Sequence, residues 1–232
     1  MRSRTNEEKG ELYPEKGPLK GLKKAFTKIR KNEKLEEDDI TPLREFIDEF
    51  TTVSIHENTV GKAVAKIAQE VNKHHHTKTC RKNGTTCRFS YPRFPVPETI
   101  IVRPCEENDP DLKEQLLVTY REILKNVKDV LEDDDAIKKI MTKYDKQAET
   151  KEEHQANIEK RVKDLCEAAL VDYDMYLKAL STSKTGYSII QRRDLDEIYI
   201  NSYNIEWIRA WNGNMDIQVE LDNAKTEFSS SA

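Results

Sequence analysis

Apolar residues recur at helical spacing along most of the chain. Leu19, Leu22, Phe26 and Ile29 predict a short amphipathic helix over 18–31. Thr41-Pro42 offers a cap residue and a helix-start proline, with Leu43, Phe46, Ile47 and Phe50 on one face behind them. Val60, Val64, Ile67 and Val71 predict another helix that runs into three histidines. Asp109-Pro110 opens a longer one with the stripe Leu112, Leu116, Tyr120, Ile123, Val127 and Val130. The acid run Asp133–Asp135 suits a helix N-terminus, ahead of Ile137, Ile140, Met141 and Tyr144. A single long helix over about 151–180 carries Ile158, Val162, Leu165, Ala169, Tyr173, Tyr176 and Leu180, a spacing suited to packing on a second helix.

The pattern changes in two places. Pro92, Pro95, Pro97 and Pro104 forbid a long helix in 72–104, and that segment has little apolar material of its own. After Thr185-Gly186, two short strands are predicted at Tyr187–Arg193 and Ile198–Asn201, then a helical turn over 205–211 and a last strand at Asp216–Leu221. The expected fold is α+β and mostly helical. Its parts are a disordered stretch 1–17, a helical region 18–71, a Pro-rich loop 72–105, an acidic helical hairpin 106–182, a small antiparallel strand unit 183–222 and a frayed tail 223–232.

The 232 residues are 35% charged and 36% hydrophobic, with a formal net charge of −4. That balance predicts a modest core with long solvated helical faces. No run of 18 apolar residues exists, so no membrane span is expected. The first residues lack the apolar stretch of a secretion signal, so the four cysteines read as thiols or metal ligands. The charge is unevenly spread. Residues 16–34 hold eight Lys/Arg against one Glu, and 71–104 hold seven against one. Residues 106–174 reverse the balance, with 20 Asp/Glu against 12 Lys/Arg. Basic clusters of this kind seek phosphate even in a net-acidic chain.

The second basic cluster also carries metal-binding chemistry. His74, His76, Cys80 and Cys87 place two imidazoles and two thiols within one short segment. Zinc accepts that donor set in a closed tetrahedral site, which is structural rather than catalytic. Such an ion would staple a segment too poor in apolar residues to order itself. His75 could replace either neighbour, and Cys105 stands in reserve. Asn83-Gly84 would turn the chain between the two cysteines. The P-loop, the nucleophile elbow and the dinucleotide fingerprint are all absent, so no P-loop ATP site is expected.

Two blocks resemble the Helitron-type replication-initiator/helicase proteins of rolling-circle transposons. The first is His74–Pro104, with His74-x-His76, Cys80 and the run Cys87-Arg88-Phe89-Ser90-Tyr91-Pro92-Arg93-Phe94-Pro95. The second is Tyr176–Asp222, with Asn201, Tyr203-Asn204, Trp211 and Asn214-Met215-Asp216-Ile217-Gln218. Together they span about a third of the chain, in the family's order. The resemblance implies a nuclear, DNA-handling protein whose relatives pair a nicking endonuclease with a Pif-type ATP-dependent helicase. It also implies that this chain lies between the nuclease's metal histidines and its tyrosines and lacks the helicase, so no catalytic residue carries over. Ile205 stands where the family has proline.

On that reading the residual activity is DNA binding, most naturally to single strands. Arg81, Lys82, Arg88 and Arg93 would neutralise phosphates, while Tyr91 and Phe94 would stack on bases. Arg192-Arg193 is a weaker basic candidate. Phe89 is expected beneath the metal loop, and Asn204, Trp211, Asn214 and Asp216 in fold-forming roles, with tryptophan buried. Two alternatives carry different expectations. One is a helical protein-interaction module without a nucleic-acid role, using 110–180. The other is a piece of an active DNA helicase or transposase gene. A nuclear or cytoplasmic location is expected in either case.

Overall fold

A computed structural model describes residues 18–31, 33–81, 84, 86–144, 151–217, 219 and 221. The expected disordered N-terminus, the frayed tail and part of the last predicted strand lie outside these residues. The described chain is α+β and mostly helical, with ten α-helices and one three-stranded sheet. No described helix is long and apolar enough to cross a membrane.

The N-terminal helices are α1 (Pro18–Arg30) and α2 (Glu37–Phe50). Helix α2 starts earlier than Thr41-Pro42 predicts. A capping box between Glu36 and Asp39 sets its start, and Pro42 sits inside it. The proline faces α1 at Gly21, where a Cβ would lie only 2.7 Å from Pro42 Cγ. Leu22, Ala25, Ile29, Leu35, Ile40, Leu43 and Ile47 form the core between these helices, closed by Ile101 and Leu221. The predicted helix over Val60–Val71 is two pieces, α3 (Glu57–Val60) and α4 (Lys62–Glu70), because Gly61 takes φ +82° between them.

The Pro-rich segment holds one helical turn, α5 (Lys78–Arg81), and the strand β1 (Ile100–Pro104). This strand is the centre of the sheet. It runs parallel to β2 (Thr182–Ser183) and antiparallel to β3 (Ser188–Ile190), with Ile101 opposite Ile189. The predicted antiparallel C-terminal unit is therefore corrected to a mixed sheet. Three β-branched residues, Ile100, Ile101 and Val102, favour the strand, and Pro104 stands at its last position, where a missing donor costs least. Ile198–Asn201 is not a strand. The 3₁₀ turn Leu195–Glu197 leads into it, and only Ile200 makes a bridge, with Lys73.

The helical part comprises α6 (Pro110–Leu131), α7 (Asp134–Met141), α8 (Lys151–Ala168) and α9 (Tyr173–Ser181). Asp109 caps α6 by accepting from the Asp111 and Leu112 amides, and Asp133 does the same for α7. Val127, Leu131, Ile158, Val162, Leu165 and Tyr176 form the largest core. The single helix expected over 151–180 is broken. Val171 N–H donates to Cys166 O and Leu170 N–H to Glu167 O, a helix-ending pair of bonds with Leu170 at φ +55°. Asp172 then caps α9 through the Met175 amide. The last helix is α10 (Ile205–Trp211), capped by Asn204. Trp207 and Trp211 lie on its outer face, 54% and 72% exposed, contrary to the buried role expected of tryptophan.

Candidate metal centre

His74 and His76 lie in extended chain just after α4. Lys73 bridges Ile200, and the His74 amide donates to Tyr199 O at 2.7 Å, so residues 199–200 hold this segment straight. Extended chain alternates its side chains. His74 and His76 therefore share one side, and the exposed His75 points away. The single turn of α5 then brings Cys80 over His76, four residues back. Cys87 returns through a short loop, tied by the Arg88 amide to Cys80 O at 2.9 Å. Lys82 and Asn83 lie outside the described residues.

The four side chains meet as the spacing predicts. Their ligand atoms all lie within 4.8 Å of one another, so the cluster could hold a metal ion. Cys80 Sγ is 3.6 Å from His76 Nδ1, and Cys87 Sγ is 3.4 Å from His74 Nε2. Cys105 does not join them: it is buried at the end of β1, where its amide donates to Ser183 O.

The electrostatics suit ligands. Burial, reinforced by neighbouring positive groups, lowers the pKa of His74 and of His76 and favours neutral rings with free lone pairs. The Thr77 amide, which hydrogen-bonds the Cys80 sulfur, outweighs burial and draws that thiol below its usual range. An aromatic floor fixes the rings from below. His74 stacks on Tyr91 at 4.3 Å, and Tyr199 meets the edge of His76 at 5.7 Å. The Tyr91 hydroxyl donates to Asn201 Oδ1, and Asn201 exchanges backbone and side-chain bonds with buried Asn72. Outer contacts of this kind orient metal ligands.

The residues expected on DNA divide into three groups. Arg81 and Arg88 are exposed beside the cluster. Phe89, expected underneath, is instead 45% exposed, with the Arg88 guanidinium 4.5 Å above its ring. Tyr91 is turned inward beneath His74 and is only 4% exposed, so its face is occupied by the His74 ring rather than open to a base. Arg93 and Phe94 line a cavity of about 780 Å³ that also reaches Cys87 and Tyr91. Arg121, Lys125 and Lys128 of α6 complete its cationic side, and Asp216 is the one carboxylate among its described lining residues. Arg192-Arg193 serves structure at least in part: Arg193 is buried and donates to Glu197 O and to Ile200 O.

Lys128 also joins α6 to the loop after Cys87 by donating to Ser90 O and Pro92 O. Burial draws its ammonium down to about 8. These α6 cations were legible as spacing, since 121, 125 and 128 share a helical face. The acidic total of their segment hides them. Comparison with protein families, curated proteins and solved structures finds no match for the chain.

Proposed function

We propose that the chain is a zinc-stapled, non-catalytic module that binds single-stranded nucleic acid. By its two sequence blocks it would be an accessory region of a Helitron-type replication initiator. The observation that carries the reading is the continuity of the metal cluster with the cationic cavity: Cys87 and Tyr91 line the same space as Arg93, Lys125 and Lys128.

Zinc is the ion favoured by the donor set. Two thiolates and two neutral imidazoles fill a tetrahedron, and bonds of about 2.1 and 2.3 Å put nitrogen and sulfur about 3.6 Å apart along its edge. The two N···S separations, 3.4 and 3.6 Å, need little change to meet that value. With four protein ligands the ion would have no open position, so its role is to hold the loop. The loop then presents Arg81, Arg88 and Phe89 outward and Arg93 and Phe94 into the cavity, with Lys125 opposite. Cations along a groove with one or two exposed rings suit a flexible strand, because every base offers a stacking face.

The test is fluorescence anisotropy of the full chain with single- and double-stranded oligonucleotides over a range of salt. Affinity for single strands should fall steeply with salt, and Arg88→Ala, Arg93→Ala and Lys125→Ala should each reduce the logarithmic slope by roughly 0.7. Cobalt substitution should give thiolate charge-transfer absorption that Cys80→Ser weakens and the Cys80→Ser/Cys87→Ser double variant abolishes. An absence of salt-sensitive affinity would overturn the nucleic-acid reading and leave the helical interaction module. An absence of the thiolate band would overturn the metal assignment separately.

A further inference from the structure

A second cluster of ligand-type side chains shares no residue with the first. His56 stands just before α3, His154 lies on α8, and Glu197 ends the 3₁₀ turn. Their ligand atoms all lie within 4.8 Å of one another. His56 Nε2 is 3.5 Å from Glu197 Oε1 and 3.5 Å from Asp196 Oδ1, and the two imidazole rings are 4.4 Å apart.

Glu197 supplies an independent pointer to a ligand. It is only 3% exposed. Its Oε2 accepts the Asp194 amide at 2.9 Å, whereas Oε1 accepts no hydrogen bond among the described residues and has only the 3.5 Å contact with His56 Nε2. A buried carboxylate oxygen left in this way calls for a cation or a donor. A small space adjoins the cluster on one side: a cavity of about 20 Å³ is bordered by His154 and Glu197, but not by His56, together with Thr51, Gln191 and Arg192. One water-sized sphere needs roughly 10–15 Å³.

We propose that His56, His154 and Glu197 bind a second divalent metal ion of the first transition series. Two imidazoles and a carboxylate, with no thiolate, suit a borderline ion rather than a soft one. Three protein ligands leave a coordination position over, which the small cavity can fill with water. Bonds of about 2.0–2.2 Å place such ligands roughly 3–4 Å apart, so the observed separations close by side-chain adjustment. The scaffold is already held in place. Arg161, two turns after His154 on α8, grips Asp194 at the start of the 3₁₀ turn. The distance between the helix of His154 and the turn of Glu197 is thereby fixed. The ion would join three segments distant in the chain, whereas the cysteine site staples one loop.

The test is titration of the metal-free full chain with cobalt, followed by elemental analysis of the zinc-loaded form. Two equivalents per chain are expected. One shows thiolate charge-transfer absorption, and the other shows only weak visible bands. His154→Gln and Glu197→Gln should each bind one equivalent fewer and keep the thiolate band, which reports that the fold survives. The Cys80→Ser/Cys87→Ser double variant should lose the thiolate band and retain the other equivalent. The proposal is overturned if the wild-type chain binds a single equivalent, all of it thiolate-bound. It is equally overturned if His154→Gln, whose side chain is partly exposed, still binds two.

Discussion

Arg161 and Asp194 form a two-point ion pair that is wholly buried. Nε donates to Oδ1 at 2.9 Å and Nη2 to Oδ2 at 2.7 Å, and both side chains are at 0% exposure. Asp194 also accepts the Leu195 amide, so it caps the 3₁₀ turn. The pair thus ties α8 to the segment whose residue 193 pairs with Val96 and whose residues 198–200 seat the His/Cys loop. Removing one partner leaves a desolvated charge behind. Arg161→Met should cost about 3–5 kcal/mol in urea unfolding, and adding Asp194→Asn should recover part of the loss. If Arg161→Met proves neutral, the pair does not anchor the turn.

Leu170 should be replaceable with profit. It is 94% exposed and sits at φ +55°, so it contributes no packing and bears the steric cost of a left-handed backbone. Glycine is the residue that this helix-ending geometry favours. Leu170→Gly should raise stability by about 1 kcal/mol, against the usual destabilising effect of a new glycine. Thermal unfolding gives the sign directly.

Which features were legible follows from how local their signals are. His74, His76 and Cys80 obey alternation and then one helical turn, so neighbouring residues determine their meeting. Arg93 and Lys125 meet only through the packing of α6. His56, His154 and Glu197 come from three distant segments, and no spacing joins them. Strand β1 was hidden by its flanks, because Pro97 and Pro104 border three β-branched residues rather than interrupt them. The break after α8 carries neither glycine nor proline, and the apolar stripe runs through it unbroken. At Thr41-Pro42 a helix-start signal lies inside a helix, because Glu36 and Asp39 cap it first and Gly21 leaves room for the ring.

Metal removal should act selectively on the cysteines. Cys80 and Cys87 face His76 and His74, so a bound ion would block them from alkylation. Cys166 is buried in the helical core, and burial pushes its thiol up to about 12, which leaves almost no thiolate at neutral pH. Mass spectrometry after brief maleimide treatment should find Cys80 and Cys87 protected in the metal-bound chain and labelled after chelation. Cys166 should stay unlabelled in both. Chelation should also lower stability, by about 4 kcal/mol relative to free metal at a thousand times its Kd. Equal labelling before and after chelation would show that the two thiols are not ligands.

Acid should release the α1–α2 pair early. Asp39 has no exposed surface and receives Lys24 at 2.8 Å, Lys28 at 2.6 Å and the Glu36 amide at 3.1 Å. Burial alone would raise its pKa, but the two ammonium groups and the amide outweigh it and hold the carboxyl well below its ordinary range. The folded value lies below the unfolded one, so the stabilisation is complete above the ordinary carboxyl value of about 4. It is lost as the pH falls from there through the folded value. The urea midpoint of the wild-type chain should therefore decline steadily below about pH 4. Asp39→Asn should begin lower at neutral pH and show a flatter decline. Asp39→Ala should lose the capping box as well, a further cost of about 1 kcal/mol. A decline in Asp39→Asn as steep as that of the wild type would place the acid sensitivity elsewhere.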